Sequence, residues 1–141
     1  MLADDDRDDR YFFRKALEAL DMAVMLQTTV DGDELMDSLG SNTGQLPDVL
    51  FLDLNMPCRN GIECLTEMKA SQKLKNIPVI VYSTSLQVET ADLLYAAGAH
   101  YYMHKCDFSA LPQSLDAIFT LLTEYPSQPT RDNFILNKEQ I

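Results

Sequence analysis

Asp53 is the residue around which the chemistry of this chain gathers. It follows four apolar residues, Val49-Leu50-Phe51-Leu52, and precedes Leu54-Asn55-Met56-Pro57. An uninterrupted apolar run of this kind reads as a strand buried on both faces, and Pro57 cannot continue a ladder, so a turn begins there. A carboxylate at that point is either a strand-end cap or a nucleophile or metal ligand on the floor of the crevice that opens at the carboxyl ends of parallel strands. Other polar residues hold comparable places. Asp4, Asp5 and Asp6 follow Met1-Leu2-Ala3, Asn55 lies two residues after Asp53, Ser83-Thr84-Ser85 follow Val79-Ile80-Val81-Tyr82, and Lys105 follows residues 100–104. Carboxylates brought together repel one another, and a hard divalent cation with oxygen ligands relieves that repulsion; Mg²⁺ is the expected one. A hydroxyl and an ammonium on the far side complement a tetrahedral dianion. The set reads as metal, carboxylate nucleophile, hydroxyl and ammonium arranged for phosphoryl transfer.

The elements that must position these groups alternate. Residues 8–20 carry Phe13, Ala16, Leu17 and Leu20 on one helical face, with Asp8 and Asp9 in the first turn near the positive end of the helix dipole. Residues 24–30 read as a second strand, 33–39 as a helix, and 40–45 as a polar loop. After the Cys58-Arg59-Asn60-Gly61 turn comes a helix over 62–71. A helix capped by Ser85 runs to Ala97 and stops at Gly98, a fifth strand covers 100–104, and a last helix capped by Asp107 or Ser109 carries Leu111, Leu115, Ile118 and Leu122 as a stripe. Pro112 is tolerable there because it falls in the first turn. Five strand–helix alternations predict an α/β fold: a doubly wound, five-stranded parallel sheet of order 2-1-3-4-5, flavodoxin-like, with helices on both faces. Strands one and three are then neighbours, so Asp4, Asp5 and Asp53 face each other. Three apolar residues are short for a first strand, usually about 5–6 residues, and the strand is expected to begin upstream of Met1. The body is expected over 1–124. From Tyr125 the character changes to an extended tail, 125–141, with Phe134 and Ile135 as candidate anchors on the body or on a partner.

At 141 residues and 46% apolar content the chain makes one domain with a real core. No apolar run is long enough to span a membrane, and the opening Met1-Leu2-Ala3-Asp4 has no basic leader region, so a cytoplasmic location is expected. The three cysteines, Cys58, Cys64 and Cys106, form no CxxC pair and fit a reducing compartment. A net charge of −11 argues against direct nucleic-acid binding and suits a cation or a basic partner surface.

These residues resemble the receiver domain of two-component response regulators over roughly residues 1–123. The motifs that carry the resemblance are Leu2-Ala3-Asp4-Asp5-Asp6, Asp53-Leu54-Asn55-Met56-Pro57 with Gly61, Val81-Tyr82-Ser83-Thr84, Ala97-Gly98-Ala99, and Lys105. The resemblance implies a stand-alone, chemotaxis-receiver-like protein in which Asp53 accepts a phosphoryl group from a phosphohistidine of a sensor histidine kinase or phosphotransfer protein. It implies that Asp5, Asp53 and the backbone carbonyl of Asn55 bind Mg²⁺, with Asp4 in support through water. Ser83 then bonds a phosphoryl oxygen, Lys105 pairs with the phosphate, and Tyr102, favoured over the neighbouring Tyr101 by its spacing from Gly98, is the aromatic that moves inward as Ser83 is drawn to the phosphate. Any hydrolysis is slow loss of the protein's own phosphoryl group rather than turnover of an external substrate. The output face is expected on the fourth helix, fifth strand and fifth helix, where a homodimer would also form, and the output acts on a downstream protein target or a relay.

The family places proline after the lysine, and Cys106 stands there instead; a cis bond before a non-proline costs about 2.5–4 kcal/mol, so a trans Lys105–Cys106 bond is expected. Cys106 reads as a structural thiol. Asp6 reads as a loop or capping residue, Arg59 as a solvated loop charge, and His100 and His104, on one face of the fifth strand, as packing or surface residues ahead of a metal pair. Two rivals stand beside the receiver reading. One is a Mg²⁺-dependent aspartyl phosphohydrolase, opposed by Asn55 standing where such enzymes carry a second acid. The other is a phosphate-independent interaction module, opposed by the intact set of Asp53, Ser83 and Lys105.

Overall fold

Residue patterning sorts the chain into alternating strands and helices. The structure, a computed structural model, describes residues 1–41, 44–84, 87–105 and 107–136. In chain order these form β1 (Leu2–Ala3), α1 (Arg7–Glu18), β2 (Thr28–Thr29), α2 (Gly32–Gly40), β3 (Leu50–Leu52), α3 (Gly61–Ala70), β4 (Val79–Ser83), α4 (Val88–Ala96), β5 (Tyr101–His104), a 3₁₀ turn (Phe108–Ala110), α5 (Leu111–Glu124), a second 3₁₀ turn (Arg131–Asn133) and β6 (Ile135–Leu136). The strands make one parallel sheet of order β2-β1-β3-β4-β5-β6.

Alternation along each strand builds two cores, one on each face of the sheet. Ala3, Leu50, Leu52, Val79, Val81 and Tyr102 point to the side covered by α2, α3 and α4. Leu2, Phe51, Ile80, Tyr82, Tyr101 and Met103 point to the side covered by α1 and α5. Every residue of β3 and β4 is buried, which is why both read as unbroken apolar runs. Each fully buried large side chain contributes roughly 1.5–3 kcal/mol of transfer free energy. Among the described residues no helix is long and apolar enough to cross a membrane.

Two departures from the sequence expectation involve the sheet edges. The second strand is only Thr28–Thr29 rather than 24–30, because an edge strand is held from one side alone, and Val24 and Met25 lie exposed before it. The tail supplies a sixth strand. Tyr102 N–H donates to the Phe134 carbonyl at 2.9 Å, and Phe134 is fully buried with its ring 5.3 Å from that of Tyr95. The Tyr95 hydroxyl donates to Pro129 O at 2.7 Å, and Gln128 Nε2 donates to both Tyr95 O and Ala99 O at 2.8 Å. The tail therefore packs on the body along the open edge of β5.

The local signals operate largely as read. Asp6 caps α1 by accepting from Asp8 N and Asp9 N; beyond the sequence reading, Asp31 caps α2, and Asn60, read only as part of a turn, caps α3. Gly98 adopts φ +102°, a left-handed conformation that ends α4. Asp107 caps the 3₁₀ turn that leads into α5, rather than α5 itself. The proposed Ser85 cap and the Lys105–Cys106 bond lie outside the described residues. His100 is buried and bonds Pro126 O through Nε2 at 3.2 Å, while exposed His104 bonds Thr84 O at 2.7 Å, so each ring has its own backbone partner. Arg59 is ion-paired rather than merely solvated: it meets Asp33 at 3.4 Å and Glu67 at 2.6 Å, tying α2 and α3 to the loop between β3 and α3.

Candidate functional site

Parallel pairing brings the carboxyl ends of β1, β3, β4 and β5 to one edge, and the residues after them converge. Ala3 is level with Leu52, Leu52 with Val81, and Val81 with Tyr102. Asp4 and Asp53 therefore stand side by side, each fixed through its backbone: Asp53 N donates to Ala3 O at 2.9 Å and Asp4 N to Thr29 O at 3.1 Å. Gly61 closes the loop after Asp53, donating to Leu54 O at 3.0 Å. A Cβ there would lie 2.6 Å from Asp53 O, so no other residue lets α3 approach the acceptor this closely. Cys58, at φ 69°, turns the same loop, and its thiol and that of Cys64 are both free.

Asp4 is wholly buried, Asp53 is 5% exposed, and Asp5 faces solvent. One carboxylate oxygen from each of the three lies within 4.8 Å of the others. This is an all-oxygen donor set, partly buried and partly open, and it fits a hard divalent cation. Asn55 N–H donates to Asp53 Oδ1 at 3.3 Å, and Asn55 is exposed at the rim. Ser83, at the end of β4, is fully buried, and its Oγ has no hydrogen-bond partner among the described residues. A buried hydroxyl left unpaired costs stability, and at this edge the Ser83 hydroxyl is available to donate to a ligand oxygen. Thr84, next to it, is exposed.

Lys105 carries the positive charge. Its Nζ donates to Asp4 Oδ2 at 2.7 Å and to Asp9 Oδ2 at 2.9 Å, stands 3.5 Å from Asp53 Oδ2, and lies 5.1 Å from the centroid of the Tyr82 ring. Burial works to lower the Lys105 pKa, but the hydrogen bonds to Asp4 and Asp9 outweigh it and hold the ammonium well above its usual range. Burial pushes the Asp53 carboxyl up to about 6, with Lys105 opposing and the Asp4 charge adding to the rise. At neutral pH Asp53 is thus mostly ionised, in a site that penalises the charge. Tyr102 is fully buried on β5, on the side of the sheet covered by α2, α3 and α4.

The structure brings Asp4, Asp5, Asp53, Ser83 and Lys105 to one site, leaves Asn55 at its rim and Tyr102 packed behind it, and keeps Asp6 apart as a helix cap. Sequence reasoning missed Asp9, which it assigned only to the helix dipole. The available signal was its position three residues after the Asp6 cap, where a helical side chain turns back toward the preceding loop.

A doubly wound parallel sheet with a carboxylate cluster, a hydroxyl and a lysine at its carboxyl edge defines a class of protein, and comparison with known proteins identifies it. The response regulator receiver domain profile matches residues 1–116. The chain is 28% identical over 122 residues to the probable methanogenesis regulatory protein FilR2 of Methanothrix harundinacea, covering 84% of this chain and 79% of that one. Longer regulators match as well: the chain is 31% identical over 104 residues to the transcriptional regulator NtrC of Klebsiella pneumoniae, spanning 74% of this chain but only 21% of that protein. Among solved structures, the phosphorylated cyanobacterial phytochrome response regulator RcpA aligns with a TM-score of 0.80 at 29% identity, over 92% of this chain and 96% of that one. The Mn²⁺-bound form of response regulator Rcp1 aligns with a TM-score of 0.78 at 26% identity over the same shares. The chain belongs to the response regulator receiver domain family.

Proposed function

We propose that this receiver domain accepts a phosphoryl group on Asp53, with Mg²⁺, from a phosphohistidine of a sensor histidine kinase or phosphotransfer protein. The observation that carries the reading is the grouping of Asp4, Asp5 and Asp53 within 4.8 Å, with the Lys105 ammonium 3.5 Å from Asp53 and an unpartnered Ser83 hydroxyl beside them. Asp5, Asp53 and the Asn55 carbonyl would hold the cation, with Asp4 in support. When bound, the cation supplies charge neutralisation for the incoming phosphoryl oxygens.

The side chains do the rest. Asp53, ionised at neutral pH, attacks phosphorus through a carboxylate oxygen. The P–N bond to the imidazole breaks, and the imidazole leaves with the electron pair and takes up a proton. Lys105 places its ammonium against one transferred oxygen, and Ser83 donates its hydroxyl to another, gaining the partner it lacks in the unphosphorylated chain. The movement of Ser83 frees space into which the Tyr102 side chain adjusts, and the two-state element so biased reads out on α4, β5 and α5. The receiver body over 1–124 performs the chemistry, and the output is a docking event with a downstream protein, a relay partner or a second copy, not turnover of an external substrate. Slow self-hydrolysis returns the resting state.

The test is chemical. Incubation with a small-molecule phosphodonor and Mg²⁺ is expected to give a phosphoryl adduct that neutral hydroxylamine removes, as it does any acyl phosphate. An adduct that resists hydroxylamine is a phosphoester on a hydroxyl and contradicts the reading.

A further inference from the structure

Lys105 is held by two carboxylates that differ in kind. Asp4 belongs to the cluster that fits a cation, and its other oxygen already accepts from Asp6 N at 2.9 Å. Asp9 lies outside that cluster, on α1, with its side chain 17% exposed. The Lys105 side chain itself is only 6% exposed. An ammonium has three N–H groups, and two are engaged by Asp4 and Asp9. A divalent cation at Asp4, Asp5 and Asp53 would draw on the Asp4 charge and repel the ammonium, leaving Asp9 as its remaining anchor.

We infer that Asp9 is a positioning residue: it keeps the Lys105 ammonium beside Asp53 while a divalent cation occupies the neighbouring carboxylates. The inference deepens the function proposed above and rests on that reading of the site. Without the Asp9 charge, the ammonium falls back on the nearest remaining carboxylates, Asp4 and Asp53, which lie at 2.7 and 3.5 Å. There it competes with the cation. Asp9 thus lets two cations share one group of acids, acting through Lys105 and touching neither metal nor phosphate.

The test is a double-mutant cycle on the full chain, with Mg²⁺ alone as the titrant in calorimetry. Asp9→Asn is expected to weaken Mg²⁺ binding by about tenfold, the lower end of what outer partners of a metal site supply. In a Lys105→Ala background the same substitution should leave the affinity unchanged, because the competitor is gone. A fall of equal size in both backgrounds marks a general effect of charge or fold and overturns the inference, as does unchanged affinity of Asp9→Asn alone. Asp9→Ser repeats the cycle with a smaller side chain if the Asn variant proves unfolded by circular dichroism. Phosphoryl uptake follows the same pattern: Asp9→Asn slows it, and does so only where Lys105 is present. If the wild type takes up no phosphoryl group, the proposed function fails while the Mg²⁺ cycle still decides the role of Asp9.

Discussion

Replacing Asp53 by Asn should make the metal-free protein more stable at neutral pH. Burial and the Asp4 charge raise the Asp53 carboxyl from 3.8 to about 6, against the opposing pull of Lys105. A raised acid holds its proton better in the folded than in the unfolded chain. Its neutral form therefore supports folding fully below about pH 4, and that support is lost as the pH rises through about 6. Above that window the ionised carboxylate costs the folded state roughly two pK units, or about 3 kcal/mol at 1.36 kcal/mol per unit. Asn cannot ionise and removes the penalty. Lys105 keeps its hydrogen bonds to Asp4 and Asp9, so the substitution strands no buried charge. For a chain of this size about 3 kcal/mol corresponds to a rise in Tm of about 6–10 °C. Calorimetric melts in EDTA at pH 7.5 should show that gain, and melts at pH 4.5, between the two pKa values, should show only about a third of it. Added Mg²⁺ should raise the wild-type Tm by mass action and move the Asn variant much less. An Asn variant less stable than wild type at pH 7.5, or a gain of equal size at both pH values, would refute the electrostatic reasoning.

Three further substitutions probe the scaffold. Ser83→Ala removes a buried hydroxyl without a partner, so the unphosphorylated chain should gain about 1 kcal/mol in denaturant melts while accumulating less adduct. Gly61→Ala sets a Cβ 2.6 Å from Asp53 O and should cost about 2–3 kcal/mol, with slower phosphoryl uptake because the acceptor loop must shift. Phe134→Ala empties a fully buried site under the tail and should cost about 3–5 kcal/mol by urea unfolding.

The parts of the fold that were legible in the sequence are those with dense local signals. β3 and β4 read as apolar runs because both faces of each are buried, and α1 and α5 are announced by the apolar stripes that carry Phe13, Ala16 and Leu17 and Leu111, Leu115 and Ile118. Asp4, Asp53, Ser83 and Lys105 could be placed at one edge because parallel strands align their carboxyl ends. The illegible parts depend on partners distant in sequence. β6 is two residues long, too short for any periodicity, and exists because β5 leaves an open edge. Its anchor Phe134 was visible as an apolar residue, but not the Tyr95 ring it would meet. The pairing of Lys105 with Asp9 spans 96 residues, and that of Arg59 with Asp33 bridges two elements; the place of Asp9 after its helix cap is a local signal, but nothing local names the partner in either pair.

The proposed function turns on Asp53 as the residue that receives the phosphoryl group. Intact-mass spectrometry of the wild type and Asp53→Ala, each incubated with a small-molecule phosphodonor with and without Mg²⁺, tests it most directly. One phosphoryl adduct is expected on the wild type with Mg²⁺, little without it, and none on Asp53→Ala. A folded wild type that stays unmodified with Mg²⁺ present, or an Asp53→Ala protein that takes up the group as readily as wild type, would contradict it.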